Sequence, residues 1–243
     1  ICSGDWTIYE IDITTGTTIT YMYGVRNSHT LHVESSDTEA LTLWVPDYGT
    51  NQLLKVNASR APEVIAQGLE GPWGITALNQ DLFAITSQNG DKLVTVDREG
   101  KTQTIVEGLR SPTGITSDTE NVYIANSGSA RRAIEWFEKS AISAEAQTTI
   151  EPKPLISGLQ NTTNMTMDDS GMLYFAFSLG TRGVIGRANA AACIAQGGCT
   201  NDEVEIIVYT ELAAPLAGLS ISPDNQLYIH TMFRPEIYTV QLN

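Results

Sequence analysis

The chain has 243 residues, with 28 Asp plus Glu against 14 Lys plus Arg, a formal net charge of −14. That balance excludes nucleic acid and anionic membrane surfaces as partners, because both demand clustered Lys and Arg. No apolar run nears the ~18 residues a membrane span needs. Hydrophobic residues at 42% and charged residues at 17% describe a core-forming globular chain rather than an acidic tail.

The chain opens on Ile1, without Met or a signal peptide, and so reads as a processed fragment. Its first segment, Gly4-Asp-Trp-Thr-Ile-Tyr-Glu-Ile-Asp12 followed by Thr14-Thr-Gly16, parallels Gly90-Asp-Lys-Leu-Val-Thr-Val-Asp97 followed by Glu99-Gly100. It therefore predicts a hairpin equivalent to the last two strands of a repeat. The repeat begins next. Gly68-Leu-Glu-Gly-Pro-Trp-Gly-Ile-Thr76 aligns without gaps to Gly108-Leu-Arg-Ser-Pro-Thr-Gly-Ile-Thr116. Gly158 to Thr166 keeps the frame, and Leu212 to Ser220 keeps Gly218 and the Leu-Ser that follows. Each entry leads through a turn to a strand with an aromatic start: Phe83, Tyr123, Tyr174 and Tyr228, with Leu43-Trp44 in an earlier copy. Leu43 to Phe83 is 40 residues, Phe83 to Tyr123 is 40 again, and the next two steps are 51 and 54. Two copies thus carry insertions, at Ser140–Pro152, which could form a short helix, and at Ala188–Glu203.

Within a repeat the pattern is four short alternating strands rich in Val, Ile, Thr and Tyr, with no helix-period segment between them. That spacing predicts an all-β propeller, a single domain over residues 1–243, in which each thin sheet is stabilised by wedging against its neighbours. Five copies plus the opening hairpin predict six blades of four strands, one of them incomplete at the termini. Five blades is the alternative, with the opening hairpin shared by the last blade. In either case strands from both termini are expected to close the ring and remove the free edge.

Cys193 and Cys199 enclose Ile-Ala-Gln-Gly-Gly, a loop whose glycines let the ends approach, and a disulfide is expected there. It would place the chain outside the cytoplasm: secreted, periplasmic or at the cell surface. Cys2 is left over, as a free thiol or an intermolecular partner. A lipid anchor at Cys2 is disfavoured by the bulky Ile1 before it. Three Asn-x-Ser/Thr sequons, at Asn57, Asn161 and Asn164, matter if the chain follows a eukaryotic secretory route.

The Gly-Leu-x-x-Pro-x-Gly-Ile-Thr entry with its aromatic second strand resembles NHL-type propellers and the related gluconolactonase and virginiamycin B lyase families. Gly183-Val-Ile-Gly-Arg187 adds to the lyase likeness. The gluconolactonase resemblance implies a divalent metal, calcium or magnesium, held at the channel mouth by carboxylate and Asn ligands. Two residues match: Glu70 in Glu70-Gly71-Pro72, and Asn164 where other copies carry Gly74, Gly114 and Gly218. A third ligand and a general-base Asp are not found. No Gly-x-Ser-x-Gly, phosphate loop or His-Glu-x-x-His is present. Asp168, Asp169 and Asp224 read as turn residues.

Propeller loops between second and third strands, with the connections between blades, gather at the channel mouth, where rigid scaffolds present ligand sites. Trp73, Asn126, Asn164, Arg182, His230 and Arg234 are the candidates there. Arg can grip a carboxylate in a fork, Trp can cover a sugar or aromatic ring, and His230 stands where other copies carry Val45, Ile85, Ala125 and Ala176. His29, His32 and His230 converge if adjacent blades bring them together. The reading is a binding module for a protein or small-molecule ligand, without catalysis. The alternatives are a metal-dependent lactonase or lyase, and a structural subunit self-associating through the incomplete blade.

Overall fold

A computed structural model describes residues 2–3, 6–35, 41–143, 149–213, 215–231 and 236–242. The chain is an all-β propeller, and the strands fall into six sheets. The opening sheet holds β1 (Cys2–Ser3), β2 (Thr7–Ile11) and β3 (Thr18–Tyr23). The first blade is β4 (His32–Ser35), β5 (Leu41–Asp47), β6 (Gln52–Val56) and β7 (Pro62–Gln67). The second is β8 (Pro72–Ala77), β9 (Leu82–Ser87), β10 (Lys92–Asp97) and β11 (Thr102–Val106). The third is β12 (Pro112–Ser117), β13 (Asn121–Asn126), β14 (Ile134–Glu138) and β15 (Lys153–Ser157). The fourth is β16 (Gln160–Met167), β17 (Met172–Leu179) and β18 (Arg182–Asn189). An insertion of α1 (Ala190–Ala195) and β19 (Cys199–Thr200) follows, then β20 (Glu205–Ala213). The fifth blade is β21 (Leu216–Ile221), β22 (Gln226–Thr231) and β23 (Ile237–Gln241).

The repeat residues set this geometry. The leading glycines Gly68, Gly108 and Gly158 have φ of 76°, 71° and 91°, so the connections into the second, third and fourth blades turn through a backbone state that a Cβ disfavours. The turn aspartates act as expected. Asp168 accepts the amides of Ser170 and Met172 and the Tyr174 hydroxyl, and Asp118 does the same for Glu120, Asn121 and Tyr123. The alternating apolar side chains make one core between each consecutive pair of sheets. Ile8 and Met22 meet Leu43 and Val56, Trp44 and Leu53 meet Phe83 and Ile85, and Leu93 and Val106 meet Val122 and Phe137. Tyr123 and Ile156 then meet Phe175 and Val184, and Ala176 and Ile185 meet Leu227 and Ile229. Among the described residues no such core joins the fifth blade to the opening sheet. Arg98 ties the second blade to the first. Its guanidinium grips Glu34 through both nitrogens at 2.8 and 2.5 Å while lying against Trp44 and Phe83.

The expectation of six blades is corrected to five. A blade is built outward from an axial strand, and five sheets have one: β4, β8, β12, β16 and β21. The opening sheet has the two outer strands and the two-residue β1, but no axial strand among the described residues. Nor do the termini share a sheet, because β1–β3 and β21–β23 are separate. Each terminal segment supplies a third strand, and two strands cannot occupy one position.

Cys193 and Cys199 form the disulfide, with Cα atoms 5.2 Å apart. Asn189 caps α1 by accepting the Ala192 amide at 2.9 Å, and Gly197 and Gly198, at φ 84° and 121°, turn the chain back to Cys199. β19 then pairs in parallel with β15, making the third blade five-stranded. In the other insertion a 3-10 turn covers Lys139–Ala141, and the Ala-Glu-Ala part of the expected helix lies outside the described residues. Replacing both Cys193 and Cys199 with Ser should lower stability by about 2 kcal/mol, the worth of so short a loop, read as a fall in urea midpoint. An unchanged midpoint would show the staple to be idle.

Candidate ligand site at an open joint

The axial strands are laced together by side-chain donors. Thr30 donates to the Trp73 carbonyl at 2.7 Å, Thr86 to Thr113 at 2.6 Å, Thr113 to Thr162 at 2.8 Å and Thr163 to Leu216 at 2.6 Å. Asn164 adds a bond from its Nδ2 to the Ala217 carbonyl at 2.9 Å. Strand register gives the equivalences: His32 faces Trp44 as Thr76 faces Ala84, so Thr30 stands at the place of Gly74 and Asn164. In the fifth blade that place is Gly218, which has no donor to offer. The glycines confirm the break. A Cβ on Gly74 would run into the Thr113 carbonyl oxygen of the next blade, and one on Gly114 would sit 2.7 Å from the Asn164 Cα. Among the described residues a Cβ on Gly218 would meet nothing nearer than His230 of its own blade, at 3.4 Å. The joint between the fifth and first blades is open.

A cavity of about 300 Å³ occupies this joint. The first blade lines it with Asn27, Ser28, His29, Thr30, Leu31 and Val33, the fourth with Asn164, and the fifth with Gly218, Ser220, Tyr228 and His230 among others. Among the described residues no Asp, Glu, Lys or Arg lines it, in a chain of net charge −14. The imidazole of His29 stacks flat on Trp73, with centroids 3.4 Å apart and planes within 4°, and Tyr48 abuts both rings edge-on. Burial pushes the His29 pKa down to about 4, so the ring is neutral near pH 7. Its Nε2, and the Trp73 Nε1, are buried without a hydrogen-bond partner. A buried donor left unpaired costs roughly 1–3 kcal/mol, which a ligand could recover.

Of the three histidines the joint unites His29 and His230. His32 lies apart, edge-on to Phe83 at 5.5 Å and beside Glu34. Trp73 backs the cavity through His29. Asn164 lines it, but its amide is engaged: Nδ2 holds the fifth blade and Oδ1 accepts the Met165 amide at 2.7 Å. Asn126 belongs to a buried clasp. Its Oδ1 accepts the Arg110 amide at 3.0 Å, and its Nδ2 donates to Glu135 at 2.8 Å. Glu135 is fully buried, its pKa raised by burial, and it is paired with Arg132 at 2.6 Å. Asp47 and Ser87 close the equivalent corners, on the Arg26 amide and the Leu69 carbonyl. Arg182 pairs with Glu211 over the Tyr209 ring. Arg234 lies outside the described residues.

Among the described residues, Glu70 and Asn164 do not come together as ligands of a resident metal. Glu70 is half-exposed and paired with Lys92 at 2.5 Å, and Asn164 is engaged as above. Among the described residues no three of His, Cys, Asp and Glu converge on one point. Calcium and magnesium need about six oxygen ligands. Glu135 escaped notice in the sequence because a lone Glu in Ile134-Glu-Trp-Phe137 reads as an outward strand residue. Gly218 did too, because it matched the repeat.

No family model and no curated relative matches the chain. Solved structures do. A gluconolactonase from Xanthomonas campestris matches with a TM-score of 0.70 at 12% identity, over 98% of this chain and 80% of that one. A chain of a nidogen–laminin complex gives 0.64 at 13% identity, over 93% and 82%. A catalytically inactive histidine-to-alanine variant of virginiamycin B lyase from Staphylococcus aureus, solved with quinupristin, gives 0.57 at 16% identity, over 93% and 71%. At these identities the likeness concerns the fold, and the resemblance to the NHL and gluconolactonase-like propellers holds at that level.

Proposed function

We propose that the chain is an extracytoplasmic propeller that binds an uncharged ligand at the joint between its fifth and first blades, without catalysis. The observation that carries this is the cavity of about 300 Å³, whose described lining holds His29 and His230 and no Asp, Glu, Lys or Arg. That volume lies at the small end of ligand pockets, and an apolar wall with a few polar groups is their usual make-up. The disulfide and the likeness to a propeller of a nidogen–laminin complex support an oxidising, extracytoplasmic setting.

The test is a thermal-shift and calorimetric screen of uncharged compounds and peptides, with and without EDTA. Hits are expected that EDTA leaves unchanged and that Ser220→Arg, which puts a charge in the wall, weakens at least about tenfold. Binding of calcium, magnesium, manganese or zinc well below about 1 mM, with lactone turnover that EDTA abolishes, would overturn it.

A second reading, acid–base lyase chemistry, is favoured by two histidines in one cavity, His29 being neutral and able to accept a proton at Nε2. The similar virginiamycin B lyase is inactive as a histidine-to-alanine variant. Metal-free turnover of a streptogramin, lost in both His29→Ala and His230→Ala, would establish that reading over simple binding.

A further inference from the structure

We propose that the open joint receives one extended, uncharged peptide strand, which takes the axial position of the opening sheet. The inference rests on the proposed binding role of the joint and names its ligand class.

Three observations define the occupant. The opening sheet packs on the first blade as a blade does, through Ile8, Met22 and Val25, and its β2–β3 hairpin matches the outer pair of a complete blade. In that correspondence β1 is the second strand. It pairs on one side with β2, and its other edge, where each complete blade carries an axial strand, has no strand partner among the described residues. A strand edge of this kind is extended by an incoming strand through main-chain hydrogen bonds.

The second observation is the wall. Between the fifth blade and β4 its described residues carry no formal charge, so a Lys, Arg, Asp or Glu in the incoming strand would be desolvated with no counter-ion among them. The third is the lacing of the ring. Thr113 and Thr163 donate forward to the next blade's Thr162 and Leu216 carbonyls, and Thr30 and Asn164 donate one residue further on. The corresponding carbonyls at the entry of the first blade belong to Ser28 and His29. A strand with Thr or Asn at these places would complete the circuit. At Gly218 the absence of a side chain lets a second backbone approach closely. The occupant therefore has the chemistry of this chain's own axial strands, two of which carry Pro-x-Gly-Ile-Thr.

The probe is a capped, fluorescently labelled heptapeptide copying residues 111–117, Ser-Pro-Thr-Gly-Ile-Thr-Ser, which carries no charge. The intact chain should bind it with a dissociation constant of about 100 µM or tighter, and a scrambled heptapeptide at least about tenfold more weakly. Gly218→Trp should abolish binding by filling the joint. Ser220→Arg, at an exposed position that leaves the packing alone, should weaken it by a similar factor. Amide exchange at Ser3 should slow on binding. Equal binding of the scrambled peptide, or indifference to both substitutions, would overturn the proposal. So would a dimer in sedimentation that the heptapeptide fails to dissociate, which would assign the joint to a second copy. If uncharged small molecules bind at the joint and the peptide does not, the strand inference fails and the binding role stands. If nothing binds there, both fail.

Discussion

Gly114→Ala will destabilise the propeller by about 3 kcal/mol, and Gly74→Ala by a similar amount, whereas Gly218→Ala will stay within about 0.5 kcal/mol of the parent. The three residues share one place in the repeat, and none has a positive φ, so backbone strain does not enter. The difference is what the new methyl meets. At Gly114 it falls 2.7 Å from the Asn164 Cα and 2.8 Å from the Met165 nitrogen, main-chain atoms of the fourth blade. At Gly74 it falls on the Thr113 carbonyl, which also accepts the Thr86 hydroxyl at 2.6 Å. Neither neighbour can swing away as a flexible side chain would, so two blades must separate and the cores on either side lose contact. At Gly218 the methyl makes an ordinary 3.4 Å contact with His230. Urea midpoints of the three variants would decide the matter. Equal losses at all three positions would mean that the fifth and first blades are in fact tightly apposed.

Acid will weaken the protein in two stages, and the first belongs to His29. Its pKa is about 4 in the folded chain because burial disfavours the imidazolium, against an ordinary value of 6.5. The unfolded chain therefore takes up the proton first. The contribution of neutral His29 is complete above about pH 6.5 and is lost as pH falls toward 4, a change of about 3 kcal/mol. Glu34 acts lower. The hydrogen bonds from Arg98 hold its carboxyl near 2, so its contribution, reduced by solvent screening, is present above about 4.5 and is lost toward 2. His29→Phe keeps a ring against Trp73 and removes the proton site. In that variant the loss between pH 6.5 and 4.5 should shrink to the part owed to His32, whose pKa burial also lowers, while the loss below 4 persists. If the parent and His29→Phe decline in parallel across the upper range, His29 is not the group responsible.

Much of this architecture was legible in the sequence because its determinants are local. A glycine that must turn left, a Pro entering a strand and an Asp closing a turn each act within a few residues, and each recurs in two or three blades. The disulfide was legible for the same reason. The blade count was not. Counting third strands gives six, yet the opening hairpin has no axial strand among the described residues, which its local pattern does not reveal. Asn164 and Asn126 show a different limit. A polar residue breaking an apolar pattern looks the same whether it grips a ligand or a neighbouring backbone. In both cases the partner, Ala217 or Glu135, is revealed by packing. The sequence offers His29, His32 and His230 as a trio contingent on their blades meeting, and the curvature of the ring brings only His29 and His230 to one cavity.

The parallel pairing of β19 with β15 reaches beyond the staple itself. It covers the outer margin of the third blade with a segment borrowed from the fourth, held in place by Cys193 and Cys199. A covered margin cannot recruit a like strand from a neighbouring molecule, so sideways stacking into fibrils has one fewer starting point. Reducing conditions would release that segment and bare the margin. The redox state of the surroundings thus governs how well these molecules keep apart, as well as how firmly each one is folded.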